Sequence, residues 1–205
     1  MNILNLIFPK KCLECGLPAQ AGKPGRYLCE DCVKKVPAGG WANREVYSVW
    51  RYEGVIRKAI IALKYKFVTG VANELADCCV QKLYASRFSL FTILTPIPLH
   101  WRRQNFRGFN QSLEIGKIIA QKMGWKFIPD LLVRKKSTTP QVELKGPARR
   151  TNLRNVFSLN TKYQILNTNY VVFDDVMTTG STLMEAAKVL KKAGVSKVWG
   201  LTLAR

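Results

Sequence analysis

Apolar residues recur at helical spacing in VIRKAIIALKY, Val55 to Tyr65, and the pattern repeats from Val71 to Tyr84, which predicts two amphipathic helices. FTILTPIP, from Phe91, is instead a continuous apolar run of strand length, as expected for a strand covered on both faces of a parallel sheet. YSVWRYEG reads as an earlier strand. After a basic loop the spacing predicts a helix from about Gln111 to Met123 and a short strand near Trp125 to Ile128. NYVVFDD is the next strand, TLMEAAKVLKKAG a helix stopped by Gly194, and SKVWGLTLA a final strand. Strand and helix alternation predicts an α/β fold with a mostly parallel sheet. Two stretches lack periodicity. Gly39, Gly40 and Trp41 read as a linker, and Arg134 to Asn155, with Thr138, Thr139, Pro140, Gly146 and Pro147, reads as a long loop. A loop of that length in a compact domain is usually a functional lid or unstructured.

The 205 residues are 47% hydrophobic, enough for one core of ordinary domain size without help from disulfides. The opening MNILNLIFPKK has a short apolar run ended by Pro9, with its basic residues after and not before it, so it fails as a signal peptide. No later window is apolar enough to span a membrane. These features predict a cytoplasmic protein whose cysteines are thiols. Charge sharpens the picture: 33 Lys and Arg stand against 13 Asp and Glu, a net +20. Such a field favours polyanions, whether nucleic acid, nucleotide phosphate, pyrophosphate or an anionic membrane face.

Cys12, Cys15, Cys29 and Cys32 form CLEC and CEDC, separated by 13 residues that include Gly16, Pro18, Gly22, Pro24 and Gly25. Each pair can wrap one turn around a tetrahedral metal, and the turn-rich link lets both meet at one ion. Four cysteine ligands close the shell, so the expected zinc is structural. We place this small N-terminal knuckle at residues 1–40 and the α/β domain at 41–205. Cys78 and Cys79 lie inside an apolar helical pattern and are expected as core thiols.

In VVFDDVMTTGST, Val171 to Thr182, two carboxylates end a strand and a hydroxyl-rich turn follows. Ligands of parallel sheets bind beyond the carboxyl ends of strands, where the next helix offers unpaired N–H groups and a positive dipole end. Gly180 lets the backbone approach a phosphate monoester, and Thr178, Thr179, Ser181 and Thr182 add donors. The Gly-Lys-Ser/Thr ending of a Walker loop is missing. Asp174 and Asp175 would repel a phosphate held against them but suit sugar hydroxyls a few ångströms away, or a metal-bound diphosphate. Phosphate and diol together describe a ribose 5-phosphate.

The motif resembles the signature of the type I phosphoribosyltransferases. The whole chain is similar to the ComF family of competence proteins through the cysteine knuckle, IIALKYK (Ile60 to Lys66), PIPLHWRRQNFRGFNQS (Pro96 to Ser112) and TTPQVELKGPARRTNLRNVF (Thr138 to Phe157). The resemblance implies that Asp174 and Asp175 contact the ribose hydroxyls of 5-phosphoribosyl 1-diphosphate. It implies too that Thr178 to Thr182 hold the 5-phosphate, that Arg102, Arg103 and Arg107 meet the pyrophosphate, and that Mg²⁺ accompanies the ligand. Lys64 is a further candidate cation for the diphosphate. His100, the only histidine, is expected in a structural turn. Arg134 to Asn155 corresponds to the superfamily's mobile loop, and a homodimer is an assembly common to such folds.

Two functions stay open at this level. One is a salvage enzyme that displaces pyrophosphate with a nucleobase, although no base-binding hood is identifiable. The other is handling of single-stranded DNA in natural transformation beside a helicase-like partner, as the ComF resemblance implies. Between His100 and Lys162 there are 14 Lys and Arg against 3 Asp and Glu, interleaved with Trp101, Phe106, Phe109, Trp125 and Phe157. Basic groups beside aromatic platforms suit single strands. Arg149 and Arg150, outside the phosphate loop, are the DNA-contact candidates.

Overall fold

The computed structural model of the chain describes residues 10–18, 26–66, 70–84, 88, 93–99, 108–135 and 156–205. A six-stranded sheet runs in the order β1-β2-β8-β7-β3-β4, formed by β1 (Ala38–Trp41), β2 (Val46–Trp50), β3 (Ile93–Pro96), β4 (Lys126–Phe127), β7 (Asn169–Val176) and β8 (Lys197–Ala204). Every pairing is parallel except β1 with β2. The expected α/β class is therefore the observed one. The long helices are α2 (Gly54–Lys66), α3 (Gly70–Tyr84), α4 (Gln111–Met123) and α5 (Ser181–Lys192), preceded by a six-residue α1 (Glu30–Lys35).

Alternation along β7 sorts the core into two layers, because successive strand residues face opposite sides. Val171 and Phe173 pack with Ile56, Ile60, Leu75, Ile115 and Ile119 of α2, α3 and α4. Tyr170 and Val172 pack with Leu183, Ala186 and Leu190 of α5 on the other side. Cys79 is fully buried and Cys78 half-buried against the first layer, as expected of core thiols. Gly116 lets α4 lie close to the sheet, since a Cβ there would come within 3.1 Å of Leu94 and 3.2 Å of Phe173.

Two expectations need correction. Gly39, Gly40 and Trp41 are not a linker but part of the edge strand β1, with Gly40 opposite Ser48 and Trp41 opposite Tyr47. A Cβ at Gly39 would lie 2.6 Å from the carbonyl oxygens of Ser48 and Trp50. Close approach of two backbones thus requires the residue that erases a strand's hydrophobic pattern. Secondly, Arg134, assigned to the polar loop, ends a strand: β5 (Leu132–Arg134) pairs antiparallel with β6 (Phe157–Leu159), which begins after the stretch. Below them, the Asp130 carboxylate accepts from Asn160, Lys162 and the Tyr163 hydroxyl. Residues 136–155 lie outside the described residues, and so does the lid expected there.

Candidate functional site

Cys12, Cys15, Cys29 and Cys32 converge so that their Sγ atoms all lie within 4.8 Å of one another. The first pair sits on a tight turn, with the Gly16 N–H donating to the Cys12 carbonyl at 2.9 Å. The second pair brackets the start of α1, Cys29 being its N-cap. Tetrahedral zinc with sulfur ligands at about 2.3 Å sets its sulfurs about 3.8 Å apart, and Cys15 and Cys29 stand at 3.9 Å. The cluster fits a metal such as zinc. Burial opposes ionisation of Cys12, yet backbone N–H donors of Cys15, Cys29 and Glu14 bring its thiol down to about 6. Cys32 is pushed up by burial and by the neighbouring sulfurs. The knuckle is docked and not dangling: Leu28, Cys32 and Val36 share the core layer of α2 and α3. Glu74 of α3 accepts the Leu28 N–H at 2.9 Å, and Glu14 pairs with Lys58 of α2 at 3.3 Å.

A second cluster lies at the carboxyl ends of β3 and β7. These strands are neighbours, but β3 continues through α4 to β4 on one side and β7 through α5 to β8 on the other, with the two helices on opposite faces. Such a reversal opens a crevice between the strand ends, the usual ligand position of a parallel sheet. The two helices that flank it begin differently. Asn110 caps α4, its Oδ1 accepting from the N–H groups of Ser112 at 3.0 Å and Leu113 at 3.4 Å, while its Nδ2 donates to the Ile97 carbonyl at 3.1 Å. The N-cap of α5 is Gly180, at φ 74°, which offers no side-chain cap, and no acidic residue occupies the first turn. The Ser181 N–H donates to the Thr179 hydroxyl at 3.4 Å, and the N–H groups after it are left for a ligand. Thr178 and Thr179 are exposed beside them, Ser181 and Thr182 half-buried, and the Thr179 and Ser181 hydroxyls lie 2.8 Å apart.

The acidic pair diverges. Asp175 points to the α2 side, where its Oδ2 meets the Lys64 ammonium at 2.7 Å, both side chains being mostly buried; its Oδ1 accepts the Val176 N–H at 2.7 Å. Asp174 meets the start of α4, where its Oδ1 accepts from the Ser112 hydroxyl at 2.9 Å; the same oxygen accepts the Asp175 N–H at 2.9 Å. Burial and the adjacent Asp175 carboxylate push Asp174 up to about 7, against the opposing pull of Ser112 and Lys64.

The structure thus gathers Lys64, Asp174, Asp175 and Thr178 to Thr182 at one place. Arg102, Arg103, Arg107, His100, Trp101, Phe106, Arg149 and Arg150 lie outside the described residues. Of the aromatic platforms, Trp125 and Phe157 are buried, at 7% and 3% exposure, and serve the core; their place as stacking surfaces is withdrawn. Sequence reasoning missed Asn110 and Ser112. Asn before a helical pattern is a capping signal, but nothing in the sequence joins Ser112 to a carboxylate 62 residues away. Among the described residues, no helix is long and apolar enough to cross a membrane.

No family model matches the chain. It is 33% identical over 196 residues to the DNA utilization protein YhgH of Salmonella typhi, covering 93% of this chain and 82% of that protein. The protein of the same name from Escherichia coli strain K12 is 30% identical over the same coverage. Competence protein F of Haemophilus influenzae is 41% identical over 118 residues, 54% of this chain and 50% of that one. Among solved structures, adenine phosphoribosyltransferase of Leishmania tarentolae is similar with a TM-score of 0.42 at 15% identity, covering 76% of this chain and 62% of that chain. Likeness at that level has no bearing on the ligand.

Proposed function

The chain belongs to the ComF family, that of the DNA utilization protein YhgH and competence protein F, and on that premise we propose that it binds 5-phosphoribosyl 1-diphosphate in its crevice and handles single-stranded DNA in the cytoplasm during natural transformation. The observation that carries the first half is the pairing, at a reversal of strand order, of an uncapped helix start with an acidic pair. The open N–H groups and hydroxyls of residues 178–182 suit the 5-phosphate. The carboxylates suit the ribose diol, and Mg²⁺ enters with the diphosphate, whose charge it offsets. Arg102, Arg103 and Arg107 follow β3 in sequence, and their fork-shaped guanidinium groups suit the pyrophosphate. The cysteine cluster holds zinc as a structural ion in the N-terminal knuckle, whose expected end at residue 40 falls inside β1. The DNA half is supported by the names of the relatives and by the surplus of cations between His100 and Lys162. A helicase-like protein is the partner such a role requires.

Titration of labelled single strands against the protein at several salt concentrations tests the DNA half. Affinity is expected to fall with a logarithmic slope of about −0.7 for each neutralised phosphate. Charge reversal at Arg149 and Arg150 is expected to weaken DNA binding and leave phosphoribosyl diphosphate binding in place. Turnover with a free nucleobase, combined with no single-strand binding at moderate salt, would leave a salvage enzyme in its stead.

A further inference from the structure

The two carboxylates of the acidic pair are held by different partners from different elements, and those partners engage three of their four oxygens. Asp175 spends Oδ2 on Lys64 and Oδ1 on the Val176 N–H. Asp174 spends Oδ1 on Ser112 and the Asp175 N–H. Asp174 Oδ2 is the remaining oxygen, without a partner among the described residues. The holders are themselves fixed. Lys64 projects from the last turns of α2, whose Leu63 is in the core. Ser112 is buried in the first turn of α4, its N–H tied to the capping Asn110, whose amide reaches back to the end of β3.

We propose that Lys64 and Ser112 are positioning residues, one for each carboxylate, and that, with the Val176 N–H, they leave Asp174 Oδ2 as the one oxygen of the pair without a partner among the described residues, an aimed acceptor that selects a sugar hydroxyl and disfavours a free divalent cation. The chemistry follows from the inventory. A hard cation such as Mg²⁺ needs several unspent oxygens in octahedral array, whereas here one carboxylate is already neutralised by an ammonium. A hydroxyl needs one well-aimed acceptor, and an aimed, partly desolvated acceptor penalises an analogue that lacks the hydroxyl. On this assignment Lys64 serves Asp175 and not the diphosphate, which differs from its sequence-level role. The inference rests on the phosphoribosyl reading above and deepens it.

Calorimetry with ribose 5-phosphate, 2-deoxyribose 5-phosphate and 5-phosphoribosyl 1-diphosphate tests it. The wild-type protein is expected to prefer ribose 5-phosphate over its deoxy analogue by about tenfold or more. Ser112→Ala is expected to bring that ratio close to one by weakening only the ribose form, and Ser112→Thr to restore it. Lys64→Met is expected to weaken ribose 5-phosphate and phosphoribosyl diphosphate by the same factor, about tenfold or more. Melting curves report whether that variant folds, and the Ser112 arm stands without it. Loss confined to the diphosphate in Lys64→Met, an unchanged sugar ratio in Ser112→Ala, or millimolar binding of Mn²⁺ alone to the wild-type pair would overturn the assignment while leaving the phosphoribosyl reading intact. Absence of binding of all three ligands to the wild type would instead remove that reading, and this assignment with it.

Discussion

The cysteine knuckle and the crevice at β3 and β7 are both small sets of polar side chains brought together by turns, yet they complete themselves in opposite ways. In the knuckle every thiol faces the other three, within 4.8 Å, so one ion would satisfy them all and leave no open position. In the crevice, Asn110 closes the start of α4 while Gly180 leaves the start of α5 open. Lys64, Ser112 and the Val176 N–H engage three of the four carboxylate oxygens and leave Asp174 Oδ2 without a partner among the described residues. A closed set builds structure, and an incomplete one waits for a ligand. The contrast predicts that damage to the knuckle costs order, and damage to the crevice costs binding.

Metal removal is the largest break. Structural zinc in small cysteine modules is worth on the order of 10 kcal/mol, far more than the apolar surface of the knuckle can supply. Chelation, or Cys29→Ser, is expected to abolish hydrogen-exchange protection in residues 10–18 and 26–35 while β7 and β8 stay protected. Elemental analysis of fresh protein without zinc would remove the closed half of the comparison.

The acidic pair comes next, and its two members are expected to differ in sign. Asp174 has a folded value raised from its ordinary 3.8 to about 7. The folded protein therefore holds that proton more tightly than the unfolded chain, and stability falls as pH rises from about 4 to about 7. Asp174→Asn is expected to flatten that slope and to raise stability at pH 8 by about 1–3 kcal/mol. Asp175→Asn is expected to lower stability, because it leaves the mostly buried Lys64 ammonium uncompensated. Both variants are expected to lose ribose 5-phosphate binding by about a hundredfold or more, as a charged acceptor or its anchor is lost. Urea unfolding across pH, beside calorimetry, reads both effects.

How much of this was legible before the fold was known differs between the regions. The knuckle was nearly complete in the sequence, since metal ligands declare themselves by residue type and spacing; only α1, a six-residue helix too short for a period, went unread. The long helices and buried strands were legible because one face or both meet the core, as at Ile56, Ile60 and Leu63 of α2. β1 was hidden because Gly39 is selected by backbone contact and not by burial. β5 and β6, three residues each, are too short to show alternation. In the crevice the acidic pair and the hydroxyl-rich turn were legible as a motif, whereas their contacts, Lys64 on Asp175 and Ser112 on Asp174, span more than 60 residues. No local pattern encodes such a contact.

The smallest effects give the sharpest test, because each region offers a glycine in the same left-handed backbone state: Gly16 at φ 71° beside the first cysteine pair and Gly180 at φ 74° at the start of α5. Alanine at either position is expected to cost about 1 kcal/mol of backbone strain, or about 2–4 °C of melting temperature for a chain of this size. Local crowding adds little. A Cβ at Gly16 meets nothing within 4 Å, and at Gly180 it meets the Met177 sulfur at 3.3 Å, near the end of a flexible side chain. The backbone cost being equal, the ligands should separate the two variants. Gly16→Ala is expected to weaken metal binding about fivefold and leave ribose 5-phosphate affinity unchanged, and Gly180→Ala to do the reverse. One physical link could spoil this independence: α2 pairs Lys58 with Glu14 of the knuckle at 3.3 Å and, further along, Lys64 with Asp175 of the crevice at 2.7 Å. If either alanine moved both affinities, strain would be passing along that helix, and the knuckle and the crevice would be one coupled device instead of a closed region beside an open one.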